Sequence, residues 1–541
     1  MKSYSVTDPK FDTDVLINGA GPAGLMTACL LAMHKVSFRI IDKKTERENY
    51  SGAMIIHSRT MEAFHQMGIS RRFLKEGVIA RSINFQFNRN KHLSMHVADF
   101  GNSWSLFPYM LMIEQWKTER ILRDFLAEFG KEVEDNTMLL SFRQKKGIVT
   151  SVLRSPLGAG ELLTSRYLIG AGGISSLVRR QLQIPFYGHT HKELLFVSDS
   201  QADLPHMPAE LFFSFSKDHT LGFFPLPNNR WRIDGVIPDL ENAGRKIDFE
   251  YISNYLSNKN LNLNMHNASW FSVFRSHSRI APVFKHHHCF LVGDAAHIST
   301  PVGAQGMNTG LQDAFNLAWK LAFYLKGMAR AKILETYQEE RMPVAQRMVS
   351  VTDQVYSLIT TRKKYMELLR LYAMPVFLSF ILFLVNRFKG LRKFLFLHIS
   401  GVGVSYRKSS ISAYFPVSFL DRAPLPGDRL PCIQYFTGTQ IFNFQEKISY
   451  TSYNLLILGV RELPDKFKSM AEKYNGLIKI IVIPADPGAE DVYRQMVMRH
   501  YACYLVRPDM HIAWRSDYLD IRGLERYLQR ILIKEHELQE A

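Results

Sequence analysis

A glycine-rich turn between two apolar segments near the start of the chain constrains the fold more than any other stretch. Residues 14–18 (DVLIN) predict a buried strand, and the turn Gly-Ala-Gly-Pro-Ala-Gly follows at once. A helical run, LMTACLLAMHK, leads into a second strand at residues 37–41, which ends at Asp42. This order of strand, glycine turn, helix, strand and acid is the fingerprint of a dinucleotide-binding βαβ unit.

The residues of this unit have separate physical roles. Gly19 makes the tight turn, Gly21 lets the backbone approach a pyrophosphate, and Gly24 lets the helix pack closely on the strand. The pyrophosphate would rest on the helix N-terminus. Asp42 is placed to accept hydrogen bonds from an adenosine ribose.

A second stretch, residues 290–326, combines an acid with the start of a helix. A short apolar strand at residues 290–292 leads into Gly293-Asp294 and a loop that contains Pro301, Gly303 and Gly306. The residues that follow, up to Gly327, have the apolar spacing of an amphipathic helix. A carboxylate at a strand tip and a nearby helix N-terminus suit a ligand with hydroxyl groups and negative charge. The alternative is an ordinary strand–loop–helix connection.

Together the two motifs resemble the single-component FAD-dependent aromatic monooxygenases, the family that includes phenol hydroxylase and polyketide hydroxylases. Three further segments share the resemblance, namely residues 59–62 (RTME), 115–120 (QWKTER) and 337–344 (YQEERMPV). The resemblance implies FAD as cofactor and NADPH or NADH as electron donor. It also implies that O2 hydroxylates a phenolic, quinol or polyketide-like ring through a flavin C4a-hydroperoxide.

The resemblance further implies which residues form the site. Pro301 and Gly306 would be catalytic, with Pro301 packed beside the isoalloxazine to help exclude water. The N–H groups at Gly306, Met307 and Asn308 would balance the charge of the reduced flavin. The implied cofactor-binding residues are Gly19, Gly21, Pro22, Ala23, Gly24, Asp42, Arg59, Gln115, Gly293, Asp294, Gly303, Gly306, Met307 and Asn308.

Two positions depart from the family pattern. Where the family has an Asp in a GADG turn, this chain has Gly172, which removes an acceptor associated with flavin and pyridine-nucleotide contacts. Five residues before Arg59, where phenol hydroxylases have an Asp near the substrate, this chain has Met54, and Gly52 replaces a basic residue often found beside that Asp. No catalytic acid or base can therefore be carried over from that segment.

The middle of the chain predicts an antiparallel sheet. Residues at about 75–110 and 185–285 alternate apolar and polar side chains with the period of strands. By the resemblance, this sheet would form one wall of an apolar pocket for a planar substrate. Phe213, Phe215, Phe223 and Phe224 could line that pocket or could be plain sheet core. No polar residue of the sheet stands out as an acid–base catalyst.

The predicted fold class is α/β with α+β inserts. A Rossmann-like FAD-binding domain would span residues 1–365, with the substrate-binding sheet inserted at about 75–110 and 185–285. An apolar helical segment and linker would span 366–425, with extended chain at 402–423. Residues 426–541 would form a small α/β domain whose RPDMHIAWR segment resembles the thioredoxin-like domain of phenol hydroxylase relatives. It contains no CxxC, so a structural or dimerising role is expected rather than redox exchange.

Composition limits the partners and the compartment. The chain has a net charge of +17, but no nucleic-acid-binding motif accompanies it, so nucleic acid is not an expected partner. Anionic small molecules or lipid surfaces fit this charge better. Four scattered cysteines and the absence of an apolar leader predict a cytoplasmic protein. No metal site is expected, because adjacent residues of the HHHC run at 286–289 would point to opposite faces of a strand.

Residues 371–385 form an unusually apolar run, with basic residues at Arg370, Arg387 and Lys389. Its length falls short of the roughly 20 residues that span a bilayer. Residues 371–397 would therefore form a buried helical pair, a homodimer contact or a peripheral membrane contact. Two rival functions stay open: a membrane-surface quinone-pathway hydroxylase, and a flavin-binding protein with impaired NAD(P)H use.

Overall fold

The structure is a computed structural model. It describes residues 11–45, 52–87, 91–97, 101, 104–156, 158, 160–203, 210–217, 219–236, 247–257, 263–361, 364–412, 423–437, 440–474, 476–484, 487–496 and 501–532. Residues 413–422 of the linker expected at 402–423 lie outside these residues.

The strands fall into three larger and two smaller sheets within the described residues. Their bounds are β1 Thr13–Asn18, β2 Phe38–Ile41, β3 Ile55–Ile56, β4 Val78–Ala80, β5 Ser82–Phe87, β6 Lys91–His96, β7 Met110–Met112, β8 Met138–Lys145, β9 Ile148–Arg154, β10 Gly160–Gly170, β11 Tyr187–Ala202, β12 Leu211–Phe215, β13 Thr220–Leu226, β14 Arg230–Val236, β15 Met265–Ile280, β16 Lys285–His286, β17 Cys289–Leu291, β18 His297–Ile298, β19 Gln434–Thr437, β20 Gln440–Asn443, β21 Tyr453–Leu458, β22 Ile478–Ile483, β23 Ala502–Val506 and β24 Ile512–Ser516.

The helices cover the first sheet and join the others to it. Their bounds are α1 Pro22–Met33, α2 Ser58–Gln66, α3 Ser70–Glu76, α4 Gln115–Ala127, α5 Leu177–Gln181, α6 Phe249–Leu256, α7 Gln305–Leu325, α8 Lys332–Thr360, α9 Lys364–Leu368, α10 Met374–Arg387, α11 Lys389–Ile399, α12 Asp465–Lys473, α13 Glu490–Met496 and α14 Ile521–Ile531.

The first sheet is the dinucleotide-binding unit that the glycine turn predicts. Strand β1 lies between β2 and β10 and runs parallel to both, and β17 extends the sheet beyond β10. Residues of β1 and α1 are almost fully buried, as the apolar sequence on both sides of the turn requires. The second motif therefore enters the same sheet through β17, directly before Gly293.

The second sheet is the predicted antiparallel wall. Within the described residues its strand order is β18-β15-β11-β14-β13-β12-β5-β6, and only β12 and β5 pair in parallel. One face packs on α6 through a cluster that includes Trp231 and Ile233. The other face packs on α10, α11 and the β3–β7–β4 sheet through a cluster that includes Leu211 and Phe224.

The last sheet has the order β22-β21-β23-β24, with β21 and β22 parallel and the remaining pairs antiparallel. Together with α12, α13 and α14 this is the strand order and direction of a thioredoxin fold. Burial raises the pKa of the Cys503 thiol to about 12 and also raises that of Cys432, so neither is poised as a thiolate. The absence of thiol exchange in this unit stays a prediction.

The apolar segment is a longer helix than its composition suggested. Helix α9, a π-helical turn at Leu369–Ala373 and α10 form one continuous helix, and Tyr365–Arg387 is 23 residues long. By length and composition alone it could cross a membrane, so the expectation that it is too short was wrong. Its inner face packs on the second sheet through residues that include Leu382 and Val385.

Candidate functional site

The three glycines of the turn differ in whether a side chain could be added at their positions. The φ of Gly19 is +114°, and a Cβ there would lie 2.5 Å from the carbonyl oxygen of Ala171. A Cβ at Gly24 would overlap the Gly19 carbonyl. A Cβ at Gly21 would meet no atom of the described residues within 4 Å. Two glycines are thus required by packing, while the third leaves open space in front of α1.

Helix α1 begins at this open space. Pro22 and Ala23 are its first two residues, and no side chain of the described residues caps them. Asp42 braces the same turn, because its Oδ2 accepts the Ala20 N–H at 2.7 Å and its Oδ1 accepts the Lys44 N–H at 3.0 Å. The free N–H groups of α1 and the Asp42 carboxylate therefore border one cleft.

The fold brings the two sequence motifs into contact. A Cβ at Gly293, whose φ is +58°, would lie 3.0 Å from the Cβ of Ala23. A Cβ at Gly310 in α7 would lie 3.0 Å from the Gly293 Cα and 3.5 Å from the Ala23 Cβ. The start of α1, the turn at Gly293 and the first turns of α7 are therefore packed backbone to backbone.

The loop before α7 has a backbone that few sequences would adopt. Pro301 begins a 3-10 turn at Val302–Ala304, in which Gly303 has φ +73° and Ala304 has φ +50°. Positive φ at Ala304 is costly for a residue with a side chain. The Nε2–H of His57 donates to the Gly303 carbonyl at 2.9 Å and helps to hold this conformation.

The N-terminus of α7 presents unpaired backbone donors. Gly306 and Met307 lie in its first turn, where N–H groups have no acceptor within the helix. Asn308 is the fourth residue, and its side chain is occupied by the His57 N–H and the Ile55 carbonyl. The Ser299 hydroxyl, close to Gly306, is buried and has no hydrogen-bond partner among the described residues. These groups suit a ligand with negative charge.

Asp294 follows the Gly293 turn and faces the same region. Its side chain is solvent-accessible although protein atoms surround the residue closely, so it lines a recess. Desolvation raises its pKa; His297 opposes this rise, and the Asp313 carboxylate adds to it. A carboxylate in this position is suited to accept hydrogen bonds from hydroxyl groups.

A buried ionic group supports this turn, and the sequence did not single it out. Asp313 in α7 accepts the Gly293 N–H at 3.1 Å, the His297 Nε2–H at 2.6 Å and the Arg341 Nε–H at 2.7 Å. Burial alone would raise the pKa of Asp313, but His297 and Arg341 outweigh it and lower that pKa. The ER pair in YQEERMPV, which includes Arg341, was its only sequence signal.

Arg59 and Gln115 are held by protein partners. The Arg59 guanidinium donates to the Asp509 carbonyl at 2.7 Å and lies 3.3 Å from Glu62. The Gln115 side chain accepts the Ala53 N–H at 3.0 Å and donates to Glu119 at 2.9 Å. Arg59 thereby contacts the C-terminal domain. Gln115 fixes the chain just before Met54.

Gly172 lies beside the glycine turn with room for a side chain. The nearest atoms to a Cβ there belong to Asn18 and Ser176, at 3.7 Å, which is ordinary contact distance. Arg179, in the VRR segment that follows, donates to the Ala295 carbonyl at 3.0 Å and ties this turn to the Gly293 motif.

The second sheet turns an aromatic face toward the loop. Phe213 and Phe224 cross at 5.7 Å with an angle of 88°, and their cluster includes Met54 and Ala304. Phe215 packs on the same face, against Phe87, whereas Phe223 lies in the α6 core. Among the residues that the structure describes, one group of potential metal ligands lies outside this region: Asp353 Oδ1 is 3.2 and 3.0 Å from the Nε2 atoms of His189 and His191. These are also hydrogen-bond distances, and the prediction of no metal stays a prediction.

FAD fits the residues present. The open position at Gly21, the uncapped starts of α1 and α7, the accessible Asp294 carboxylate and the unpartnered Ser299 hydroxyl together offer contacts for a pyrophosphate, a sugar chain and an anionic ring. These groups line one continuous region because Gly293 touches Ala23.

Comparison with known proteins settles the family. The profile described as "FAD binding domain" matches residues 12–352. The chain belongs to the FAD binding domain family. Both motifs of the site lie inside the matched residues.

Relatives and solved structures extend the likeness to the whole chain. Pentachlorophenol 4-monooxygenase of Sphingobium chlorophenolicum is 28% identical over 97% of each chain. The 6-methylpretetramide 4-monooxygenase of Streptomyces rimosus is 35% identical over 68% of this chain and 65% of its own. The solved anhydrotetracycline hydroxylase of Streptomyces rimosus has a TM-score of 0.76 at 26% identity, and covers 96% of this chain and 98% of its own.

The family membership confirms several predictions. This protein is an FAD-dependent monooxygenase of the aromatic hydroxylase type, with FAD as its cofactor and NAD(P)H as the donor typical of the family. The α/β fold class, with an antiparallel second sheet, is confirmed as well.

Proposed function

We propose that this enzyme hydroxylates an electron-rich phenolic, quinol or polyketide-like ring, with O2 and with NADPH or NADH as electron donor. The observation that carries the proposal is the aromatic face around Phe213 and Phe224, which shares a cluster with Ala304 of the loop before α7. Apolar aromatic side chains beside this loop suit an aromatic ring. The names of relatives, including the pentachlorophenol and anhydrotetracycline monooxygenases, support the same class.

We assign the two halves of FAD to the two motifs. The adenosine and pyrophosphate would lie on Gly19–Gly24 and Asp42, and a ribityl hydroxyl would donate to Asp294. The reduced cofactor supplies the electrons that activate O2. The residues proposed to hold it are Gly19, Gly21, Pro22, Ala23, Gly24, Asp42, Arg59, Gln115, Gly293, Asp294, Gly303, Gly306, Met307 and Asn308.

We assign the reacting side of the site to the loop before α7. The N–H groups at Gly306 and Met307 would stabilise negative charge on the flavin ring, with the helix dipole aligned toward it. Asn308 would contribute chiefly by fixing the start of α7, because its side chain is bonded to α2 and β3. Pro301 would border the ring and exclude water from the reacting oxygen.

The first test is the flavin itself. Wild-type protein should purify with bound FAD and show the visible absorbance of flavin. Asp294→Ala should lose most of the bound FAD, because the carboxylate proposed to accept a hydrogen bond from a ribityl hydroxyl is removed. Asp465→Ala, at a side chain that is 93% exposed, is the matched control and should keep FAD. Colourless wild-type protein that takes up no added FAD would contradict the assignment.

The second test identifies the reaction. Phenols and polycyclic phenols are incubated with the enzyme and NADH or NADPH, and products are sought by mass spectrometry. A ring product that carries one added oxygen is expected with at least one donor.

A flavin-binding protein with impaired NAD(P)H use is the second candidate, and Gly172 is the observation that favours it. This candidate predicts bound FAD that neither NADH nor NADPH reduces, with or without phenols. Reduction of the flavin by either donor in a stopped-flow measurement excludes it.

We further propose that the chain divides into domains at residues 1–365, 366–425 and 426–541, with the substrate-binding sheet inserted at about 75–110 and 185–285.

We also propose that the enzyme is cytoplasmic and contacts a membrane peripherally. The outer face of the helix pair α10–α11 supports the membrane contact. Phe377, Phe380 and Phe383 are 63%, 57% and 64% exposed, and Arg387 and Lys389 follow them. Exposed aromatic rings beside cations fit an anionic lipid surface better than water. The inner face packs on the substrate sheet, which supports a lipid-associated ring, such as a quinol, as substrate.

Vesicle flotation tests the membrane contact. The protein should float at low salt with vesicles that contain phosphatidylglycerol, and the triple change of Phe377, Phe380 and Phe383 to Ser should abolish flotation. Leu162→Ser, at an exposed site on β10, is the control. Protein that stays at the bottom with every vesicle contradicts the proposal, and a dimer in light scattering that the triple change dissociates would assign the face to a second copy.

A further inference from the structure

Asp234 lies in the middle of the substrate sheet, on β14. Along this strand Trp231 and Ile233 point into the core under α6, so the alternate residues Arg232, Asp234 and Val236 point to the opposite face. Asp234 therefore belongs to the face that turns toward the loop before α7 and toward helices α10 and α11.

The neighbours of Asp234 on that face connect it with the loop. Val236, the next residue on this face, shares a cluster with Val302 of the 3-10 turn. Phe224, which pairs with Arg232 across β13, shares a cluster with Ala304 of the same turn. Asp234 thus lies between Val236 and Phe224, and each of these two side chains packs in an apolar cluster that includes a residue of the loop before α7.

A glycine opposite Asp234 makes space for its carboxylate. Gly222 is the cross-strand partner of Asp234. A Cβ on Gly222 would lie 2.6 Å from Asp234 Oδ1, 2.8 Å from Phe224 Cε2 and 3.2 Å from Phe213 Cε1. The carboxylate therefore rests over bare backbone, beside the edges of two aromatic rings.

The charge of Asp234 is only partly compensated by the protein. Arg232, the nearest cation, is held by Asp199 through two hydrogen bonds of 2.7 Å. Burial raises the pKa of Asp234 to about 7, although Arg232 and the Gly222 N–H oppose the rise. Protein surrounds Asp234, yet its side chain keeps solvent-accessible surface, as expected for a residue that lines an internal cavity.

We propose that Asp234 is a catalytic base that binds the ring hydroxyl of a neutral phenolic substrate between Phe213, Phe224 and the loop before α7. The inference rests on the proposed hydroxylation of a phenolic ring and names the group that recognises its hydroxyl. Met54, in the same apolar cluster as Phe213 and Phe224, offers no carboxyl group for this role.

The proton transfer balances without a further reactant. The phenol O–H bond breaks, its proton moves to an Asp234 oxygen, and the electron pair stays on the substrate oxygen. The negative charge increases electron density at the ortho and para ring carbons, one of which receives the hydroxyl oxygen derived from O2. When that carbon loses its ring proton to solvent and aromaticity returns, Asp234 gives its proton back to the first oxygen.

Turnover of the FAD-loaded enzyme tests the role. On any phenol that wild type hydroxylates, Asp234→Asn should lower kcat/KM by about 10²- to 10⁴-fold, the usual contribution of a general base. The wild-type rate should rise with pH through about 7, as the carboxylate ionises, and the variant should lose this dependence. Gly222→Ala should also lower kcat/KM because its Cβ displaces the carboxylate. Asp203→Asn, at an exposed carboxylate near the end of the same sheet, should behave as wild type.

Binding of 4-nitrophenol tests the proton transfer without turnover. At a pH of about 7, where Asp234 is partly ionised, FAD-loaded wild type should show more absorbance from bound phenolate than FAD-loaded Asp234→Asn. Equal phenolate signals in both, an unchanged pH profile in the variant, or no binding by wild type would overturn the proposal. FAD-loaded wild type that binds 4-nitrophenol as phenolate yet yields no ring product would instead overturn the proposed function.

Discussion

At the scale of single residues, several glycines shape this site by leaving space where a side chain would lie. Gly21 and Gly222 have empty or carboxylate-filled space where a side chain would lie, whereas Gly19 and Gly24 are closed by backbone. Gly172 is of a third kind, because it lies beside the glycine turn with its nearest neighbours at 3.7 Å. A side chain can therefore be added at Gly172 without displacing the turn.

Gly172→Asp tests whether this open position limits electron delivery. We expect the variant to fold with FAD bound, and its flavin reduction by NADH or NADPH to be faster by about tenfold, the value of one added charge-assisted hydrogen bond. Stopped-flow absorbance measures the rate. Gly172→Ala is the control and should leave it unchanged, and an equal gain in both variants would show that the carboxylate is irrelevant.

At the scale of elements, the two helices that begin at the site also meet where they end. His34 caps the end of α1, is 2% exposed, and packs on Phe323 of α7 and on Tyr450 before β21. Its Nε2 has no hydrogen-bond partner among the described residues. Desolvation, with a contribution from Lys326, lowers the pKa of His34 to about 3. Helix α1 thus ends on an imidazole that the fold keeps neutral.

His34 should make the fold acid-sensitive. Its pKa in the fold is below the unfolded value of about 6.5, so the unfolded chain binds the extra proton. The contribution of neutral His34 to the free energy of unfolding is fully present above pH 6.5 and is lost as the pH decreases toward 3. About 2 kcal/mol of it is lost between pH 7 and pH 5.

His34→Leu should remove this loss and change stability at pH 7 by less than about 1 kcal/mol, because the replacement is apolar and of similar size. Urea denaturation at pH 7 and pH 5 measures both values. His92→Leu, at an exposed site, should keep the acid sensitivity. A wild-type free energy that is equal at the two pH values would contradict the assignment.

At the scale of the whole molecule, buried ion pairs join the thioredoxin-like domain to helices α7 and α8 of the FAD-binding part of the chain. Arg507, just after β23, donates to both oxygens of Glu340 in α8 at 2.6 and 2.8 Å and also contacts Asp509. Lys320 of α7 lies 2.7 Å from Glu340. Burial alone would raise the pKa of Glu340, but Arg507 and Lys320 lower it to about 2. Separating Arg507 from Glu340 would leave buried charges without their partners, at a high cost in free energy. These ion pairs therefore hold the two parts of the chain together.

Arg507→Ala should destabilise the protein by about 3–5 kcal/mol, because Glu340 and Asp509 would stay buried with less positive charge. Guanidinium denaturation followed by fluorescence should show the loss, and limited proteolysis should cut between the two halves sooner. Arg494→Ala breaks an exposed pair with Asp491 and should cost less than about 1 kcal/mol. Equal stability of the two variants would mean that the network does not hold the domains together.

Much of the fold could be read from local sequence. The glycine turn, the apolar run of α1 and the periodicity of α7 each specify a conformation through neighbouring residues. The structure has each of those elements, although α1 begins at Pro22 instead of Leu25. The length of the apolar helix was misjudged because polar residues at its start continue it through a π-helical turn. The buried group around Asp313 has no local sequence pattern, because its partners come from two other segments, residues 293–297 and Arg341 in α8.

The sequence by itself determined the βαβ unit suited to a dinucleotide, because backbone requirements and periodic burial are encoded locally. The likeness to the aromatic hydroxylases came from motifs that the chain shares with that family. Only the tertiary structure decided which polar groups meet. Asp234 acquires its position from strand register opposite Gly222, and Arg507 acquires its partner from a helix far along the chain. Register and domain packing depend on the summed burial of many distant side chains, and no local pattern records that sum.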